Sequence, residues 1–574
     1  MNRKWRILGL VVAVALGWWT AAGLEYVAGD AVEKNSAAAP TGDWSQWGGD
    51  SKHNNTPVGY NIPTEWNIGS FDYRTGEWDS SEAENIKWVS RLGSQTYGNA
   101  VIADGKIYVG TNNSGGWLER YPSKTDLGCL LCFDVADGKF LWQHSSEKLP
   151  SGRVHDWPLQ GICCAPLVEG DRLWFVTSRG EVRCVDTNGF YDGENDGPYK
   201  DEEVVADNES DVVWVYDMMK EMGISQHNMC SCSVTSAGDI LFINSSNGVD
   251  VEHNYIPAPD APSFFAMDKN TGKVLWSDGS PGLNILHGQW SSASHAVLGG
   301  QPQVIFAGGD GWVYSFDPAG DNGEAKLLWK FDANPKTSLW ELGGRGTRNN
   351  IIATPVIHNG LVYVAVGQDP EHGEGVGHLW CIDPTKRGDV SPEIAYNSSA
   401  PDKPIAHKRV QAVVPEEGDL SRPNKNSAVI WHYSEFDQNG DDDIEFEETM
   451  HRSCGTVAIR DNILYIADFS GLFHCLDATT GKVNWTYDML AAAWGSPLIV
   501  EDKVYIGDED GEVAIFRHSA DPEVAMQLDE YDEMGPYYGT RDMGNSVYST
   551  PIVSNNVLYI SNRTHLFAIS PDGK

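Results

Sequence analysis

Residues 456–485, TVAIRDNILYIADFSGLFHCLDATTGKVNW, read as four short strands in succession. The apolar runs around Ile459 and Leu464 are parted by Asp461 and Asn462, a turn pair, so they predict a hairpin. A third run ends on Asp477, a TGK turn follows, and a fourth run carries Trp485. Together they predict one small antiparallel sheet.

The hairpin recurs as NAVIADGKIYVG from Asn99, APLVEGDRLWFV from Ala165, SVTSAGDILFI from Ser233 and SHAVLGGQPQVIFAG from Ser294. Further copies are TPVIHNGLVYVAVG from Thr354, SPLIVEDKVYIGD from Ser496 and TPIVSNNVLYISN from Thr550. The second half recurs too, as CFDVADGKFLW ending at Trp142 and AMDKNTGKVLW ending at Trp276, with looser copies ending at Trp214, Trp329 and Trp431. The copy AIFRHSADPEVAMQL lacks the Trp. The mean spacing of about 64 residues exceeds the roughly 40 to 50 of familiar propeller repeats, so the loops carry extra material.

The eighth copy, LFAISPDGK, runs into the last residue without a fourth strand, while an orphan strand, IKWVSRL, with Trp88 in the expected place, precedes the first hairpin. One strand missing at the end and one spare at the start is what a closed ring requires. The expected fold is therefore all-β: an eight-bladed β-propeller of four-stranded antiparallel blades, the N-terminal strand closing the last. A string of separate β-sandwiches leaves the Trp88 strand unexplained.

Composition agrees. The 574 residues include 60 Gly and 41% hydrophobic residues, enough turns and enough core to exclude disorder, collagen and coiled coil. A net charge of −40 repels phosphate backbones, so nucleic acid is not an expected partner. Before the first Cys, at 129, stand a basic NRKWR at residues 2–6 and an uncharged run, Ile7 to Leu24. That run is longer than a usual signal core and just long enough to span a bilayer, so residues 1–29 are read as a cleaved signal or a membrane anchor. Either way the remainder is exported, to the periplasmic or cell-surface side. Residues 30–45 then form a linker and 46–574 the propeller, with an insertion over about 384–450.

Strands ending in the D-x-x-T-G-K-x-x-W pattern resemble the pyrroloquinoline-quinone (PQQ) repeat, shared by quinoprotein alcohol dehydrogenases and the outer-membrane-barrel assembly lipoprotein. DWSQWGGD from Asp43 also resembles the start of many exported members. The resemblance is specific for the fold and implies two roles: a scaffold in the cell envelope that binds proteins or a ligand, or a PQQ-dependent oxidoreductase. Adjacent Cys163 and Cys164 resemble the vicinal pair that caps the cofactor in some of the enzymes. A pairing such as Cys164 with Cys232 is equally open, because spacing does not fix connectivity. Cys132, Cys184, Cys381 and Cys475 stand two residues before the repeat Asp and read as small core residues; Cys129 and Cys132 leave opposite faces of a strand, which disfavours zinc or a redox dithiol.

Segments just before the hairpins should converge on the ring axis. They carry His155, Trp157, His227, His287, Trp290, Arg348, Asn349, His451, Arg452, Trp494 and Arg541. Such a cationic, aromatic mouth suits a small anionic planar ligand such as PQQ. The alternative is that these Arg and His pair with local acids. No catalytic triad, zinc motif, P-loop or dinucleotide fingerprint stands out.

One insertion motif has its own chemistry. DQNGDDDIEFEE places Asp437, Asn439, Asp441, Asp443, Glu445 and Glu448 at positions 1, 3, 5, 7, 9 and 12 of an EF-hand-like loop. Asp442 replaces the Gly expected at position 6, and the preceding segment reads as strand. The loop is either a calcium site or a solvated acidic turn.

Overall fold

A strand that ends on Asp can fold its carboxylate back over the next N–H groups and start a turn. Asp477 Oδ1 accepts from the N–H groups of Thr479 and Thr480, both at 2.9 Å, and Asp268 repeats this with Asn270 and Thr271. The turn then needs a left-handed residue, supplied by Gly138, Gly272 and Gly481 with φ near +70°. These glycines also lie under indoles. A Cβ on Gly481 would stand 2.6 Å from the Trp431 ring, one on Gly272 2.8 Å from Trp214, and one on Gly138 2.5 Å from Trp88.

The computed structural model describes residues 42–368, 372–373, 375–438, 440–528 and 533–573. The apolar run at 7–24 lies outside the described residues; among those described, no helix is long and apolar enough to cross a membrane. The described chain is all-β, with eight antiparallel sheets of four strands, one of them extended by a fifth. The first sheet comprises Val101–Ala103, Lys106–Asn112, Leu127–Asp134 and Phe140–Glu147. The eighth comprises Ile552–Ser554, Val557–Ser561 and His565–Ile569, and its fourth strand is the orphan Ile86–Arg91.

The repeat motif has one geometric meaning throughout. Across from each Trp stands a small residue: Cys132 opposite Trp142, Cys184 opposite Trp214, Ala266 opposite Trp276, Ser315 opposite Trp329, Cys381 opposite Trp431, Cys475 opposite Trp485 and Ala568 opposite Trp88. The ladder slips right beside each of these pairs, which makes room for the indole. Apart from that of Trp329, which meets Gln303 of its own sheet, the indole N–H groups then reach the neighbouring sheet. Trp142 donates to Thr187 O, Trp214 to Lys269 O, Trp276 to Pro318 O, Trp431 to Ala478 O and Trp485 to Ser519 O, over 2.9–3.2 Å. The seventh sheet has no such Trp; its fourth strand, Thr540–Asp542, follows a hairpin of Met526–Leu528 and Met534–Pro536.

Between the third and fourth strands of the fifth sheet, His378–Ile382 and Val429–Tyr433, the insertion folds on itself. Gly388–Asp389 adds to the fourth sheet in parallel, and Glu393–Asn397 forms a three-stranded sheet with Ala400–Pro404 and Asp419–Pro423.

The segment from Asp43 onward is part of this assembly. The first strand of each sheet is an edge whose N–H groups need acceptors. Ile102 N–H donates to Trp44 O, Val168 to Ser45 O, His295 to Ser51 O, Ile357 to Lys52 O and Ile499 to Asn55 O, over 2.8–3.1 Å. Asn54 exchanges a pair of bonds with Ile459 through its side chain. The ring of buried His53 sits between the carbonyls of Trp47 and Ala293, 2.7 Å from Nδ1 and Nε2 respectively. Packing thus begins at Trp44, within the stretch read from sequence as linker.

Candidate functional site

Each first strand is approached by an extended segment whose residues alternate direction. Counted back from the small residue that opens the hairpin, a Ser or Thr in most copies, the preceding position is also small and pressed against backbone, that of its own sheet at Gly98 and that of the next approach segment at Gly455 and Gly495. A Cβ on Gly98 would stand 2.7 Å from Gly110 O, one on Gly455 2.7 Å from Gly495 O, and one on Gly495 2.8 Å from Ser549 O. Cys164 and Cys232 occupy the same place.

The hydroxyls link sheet to sheet. Ala165 N–H donates to Ser233 Oγ, Ser233 N–H to Ser292 Oγ, Thr456 N–H to Ser496 Oγ, Ser496 N–H to Thr550 Oγ1 and Thr550 N–H to Asn99 Oδ1, over 2.7–3.0 Å. The position two residues back, counted from Ser292 in the fourth copy, faces a cavity of about 300 Å³. Around its wall stand Tyr97, Cys163, Ser231, Trp290, Ile352, Cys454, Trp494 and Tyr548, each from a different approach segment, joined by Trp157 and by Trp47 from the N-terminal segment. Tyr97 stacks on Tyr548 with ring centroids 4.8 Å apart, and Trp494 lies 5.0 Å from Tyr548. The Arg153 guanidinium covers Trp157 at 3.6 Å. Among the described residues no Asp, Glu, His, Lys or Arg lines this cavity.

Of the eleven mouth residues expected from sequence, Trp157, Trp290 and Trp494 line the cavity. The other eight do not, and the reason is local pairing. Arg348, fully buried, donates to both Asp332 oxygens at 3.2 Å, and Lys336 approaches the same carboxylate at 2.7 Å. Burial tends to raise Asp332, but these cations hold it well below the ordinary carboxylate range. Arg452 staples loops, donating to Gly344 O, Gly346 O and His372 O over 2.7–2.8 Å and to Asn349 Oδ1 at 2.8 Å. Asn349 in turn donates to Val376 O.

His451 lies 3.4 Å from Asp468, whose carboxyl is pulled down to about 2; burial opposes this, and hydrogen bonds from His451 and His474 overcome it. His155 is lowered by burial and meets Ser225 Oγ at 3.2 Å. Arg541 sits on an outer strand, paired with exposed Glu65. His227 and His287 face one another, Nε2 to Nε2, at 2.9 Å.

Cys163, Cys164 and Cys232 are thiols, joined neither to one another nor to another Cys. Burial pushes Cys163 and Cys164 up to about 12, so neither is a reactive thiolate at neutral pH. In the acidic loop, Asn439 lies outside the described residues. Glu448 is buried; its two carboxylate oxygens accept from Gln438 N–H at 2.7 Å and Glu445 N–H at 3.2 Å, capping the short turn Phe446–Glu448. Asp437 accepts from the N–H groups of Gly440 and Asp442, and Asp441 from that of Asp443. Asp442 takes the left-handed conformation, φ +66°, that the missing Gly would have adopted.

Residues 416–573 match the family model of the outer membrane protein assembly factor BamB. The repeats in that segment are PQQ-like. No curated protein matches the chain. Solved structures similar to it include BamB from Moraxella catarrhalis, 14% identical with a TM-score of 0.44 over 82% of this chain and 93% of that one. Quinohemoprotein alcohol dehydrogenase from Comamonas testosteroni is 13% identical, TM-score 0.45, over 94% and 82%. A europium-containing methanol dehydrogenase is 11% identical, TM-score 0.40, over 91% and 90%. In this chain the PQQ-like motif explains the Trp-to-turn contacts between sheets and leaves the residues facing the cavity free to vary.

Proposed function

We propose that the eight sheets are the blades of one closed propeller, exported to the cell envelope, and that the protein is a binding module taking a neutral, ring-bearing ligand or side chain in the aromatic mouth. The observation that carries this reading is the cavity lining, with four Trp and two Tyr, hydroxyl and amide groups between them, and no charged side chain among the described residues. Aromatic faces reward flat or ring-shaped groups, and a belt of Ser, Thr and Asn orients them without demanding charge.

PQQ fits this lining poorly. Its several carboxylates call for guanidinium or ammonium partners, and of the arginines expected at the mouth Arg348 and Arg452 are buried among partners of their own and Arg541 pairs with Glu65 on an outer strand. We therefore place the oxidoreductase reading second.

Fluorescence titration with the neutral probe N-phenyl-1-naphthylamine tests the proposal. The purified protein should bind it saturably, and Trp157→Ala with Trp494→Ala should weaken binding at least tenfold. Equal binding by the double variant, or stoichiometric uptake of PQQ with calcium-dependent, dye-linked alcohol oxidation, would overturn it.

A further inference from the structure

Behind Trp290 the loops bring histidines together from distant parts of the chain. His227 precedes the third sheet, His287 the fourth, and His253 lies in the loop between Ile240–Asn244 and Phe264–Asp268. One ligand-capable atom from each of these three lies within 4.8 Å of the other two. Their ring centroids are 4.5–4.9 Å apart, and the ring of His372 stands 4.5 Å from that of His287. His227 and His287 are each 1% exposed.

The nitrogens are oriented for coordination. His227 Nδ1 lies 2.8 Å from Val249 O; a carbonyl only accepts, so Nδ1 carries the proton and Nε2 of the neutral ring presents its lone pair. That lone pair accepts from His287 Nε2–H at 2.9 Å, a proton that a metal ion at this position would displace. A backbone carbonyl fixing the far nitrogen is the usual support of a metal-bound imidazole.

His253 reaches the group through a left-handed backbone, φ +61°, which is strained for a residue with a Cβ. Asp250 holds it there: its carbonyl accepts from His253 N–H at 3.1 Å, and its carboxylate accepts from the N–H groups of Asn254 and Tyr255 at 2.7 and 2.9 Å.

We propose that His227, His253 and His287 bind one divalent transition-metal ion of the imidazole-preferring kind, zinc(II) or copper(II). Among the described residues the donor set is three imidazole nitrogens with no carboxylate, which suits these ions and not calcium or magnesium. With metal–nitrogen bonds of about 2.0–2.1 Å, two ligands on a tetrahedral ion stand about 3.4 Å apart. The His227–His287 pair needs slight widening, and His253 a shift that its partly exposed loop permits. The strongly negative chain raises the local cation concentration. The proposal is independent of what the aromatic mouth binds.

Cobalt(II) serves as the spectroscopic probe, added to the full chain after treatment with a chelator and its removal, with millimolar calcium present to fill oxygen-only sites. The expected result is one equivalent bound, with visible bands between about 500 and 650 nm that zinc(II) abolishes. His253→Ala, in a partly exposed loop, should lower the affinity at least tenfold with an unchanged melting temperature, and His227→Gln should do the same to the bands. Failure of the wild type to bind cobalt or zinc at 0.1 mM, or wild-type binding by both variants, would overturn the site and leave a hydrogen-bonded histidine cluster.

Discussion

Trp88 donates its indole N–H to the carbonyl of Val135 at 2.9 Å, joining the eighth sheet to the first by the same contact that Trp142 makes to Thr187 and Trp431 makes to Ala478. The three acceptors are equivalent. Val135 follows the strand-ending Asp134 as Thr187 follows Asp186 and Ala478 follows Asp477.

Replacing Trp88, 5% exposed, by Ala should cost about 3–5 kcal/mol, the range for a large buried aromatic. Trp88→Phe keeps much of the packing and loses the bond to Val135, so it should cost clearly less. Denaturant unfolding of the two variants checks the order; a Trp88→Ala protein as stable as the wild type would remove the strand from the fold's support.

Much of this was legible in the sequence because the repeat fixes backbone contacts. The Asp turn, the Gly beneath an indole and the small residue across from Trp recur at one spacing in the copies ending at Trp142, Trp276 and Trp485, so the hairpins, the looser copies and the orphan strand could be read off. The site was read less well. Arg348 and Arg452 stand in the approach segments as expected, but Asp332 and the carbonyls of Gly344 and Gly346, which capture them, are distant in sequence or lack a side-chain signal. Tyr548 had a usable signal, since it lies two residues before Thr550 as Tyr97 does before Asn99 and Trp494 before Ser496. His253 had none, because its place depends on a loop held by Asp250.

Arg348 and Arg541 should part company. Arg348→Ala strands Asp332 in the interior with Lys336 as its remaining close cation, a loss of about 3–5 kcal/mol by analogy with broken buried pairs. Arg541→Ala removes a pair with exposed Glu65 and should cost less than about 1 kcal/mol. Urea unfolding measures both, and similar values for the two would contradict the difference in their surroundings.

Asp310 gives stability a pH dependence of the less common sign. Burial raises its carboxyl from 3.8 to about 7, against hydrogen bonds from Tyr314 and from Trp312 N–H. Because the folded state holds this proton more tightly, the contribution is fully present below pH 3.8 and lost as pH rises through about 7. The melting temperature of the wild type should therefore fall relative to that of Asp310→Asn between about pH 5 and pH 8. A constant difference across that range counts against the assignment.

Glu448 should matter without any metal. Its carboxylate caps the turn by accepting from two backbone N–H groups, so Glu448→Ala should lower stability by about 0.5–2 kcal/mol in excess EDTA. If that variant is destabilised only when calcium is present, the residue's role is coordination and not capping.

Asn55 tests the N-terminal segment. Its side-chain amide donates to Pro497 O at 3.1 Å and Pro551 O at 3.2 Å, and its own carbonyl accepts from Ile499 N–H at 3.1 Å. The side chain is completely buried, so no water replaces a lost donor at these carbonyls. Asn55→Ala should cost roughly 1–3 kcal/mol for the unsatisfied acceptors. Asn55→Asp is nearly the same shape but turns a carboxylate toward two carbonyl oxygens, so it should be worse than Ala above the carboxyl's pKa and should recover as the pH falls and the group gains a proton. Thermal melts of both variants at about pH 4 and pH 8 decide the matter: Asp no worse than Ala at the higher pH would mean that the segment does not hold these strands in the way its hydrogen bonds describe.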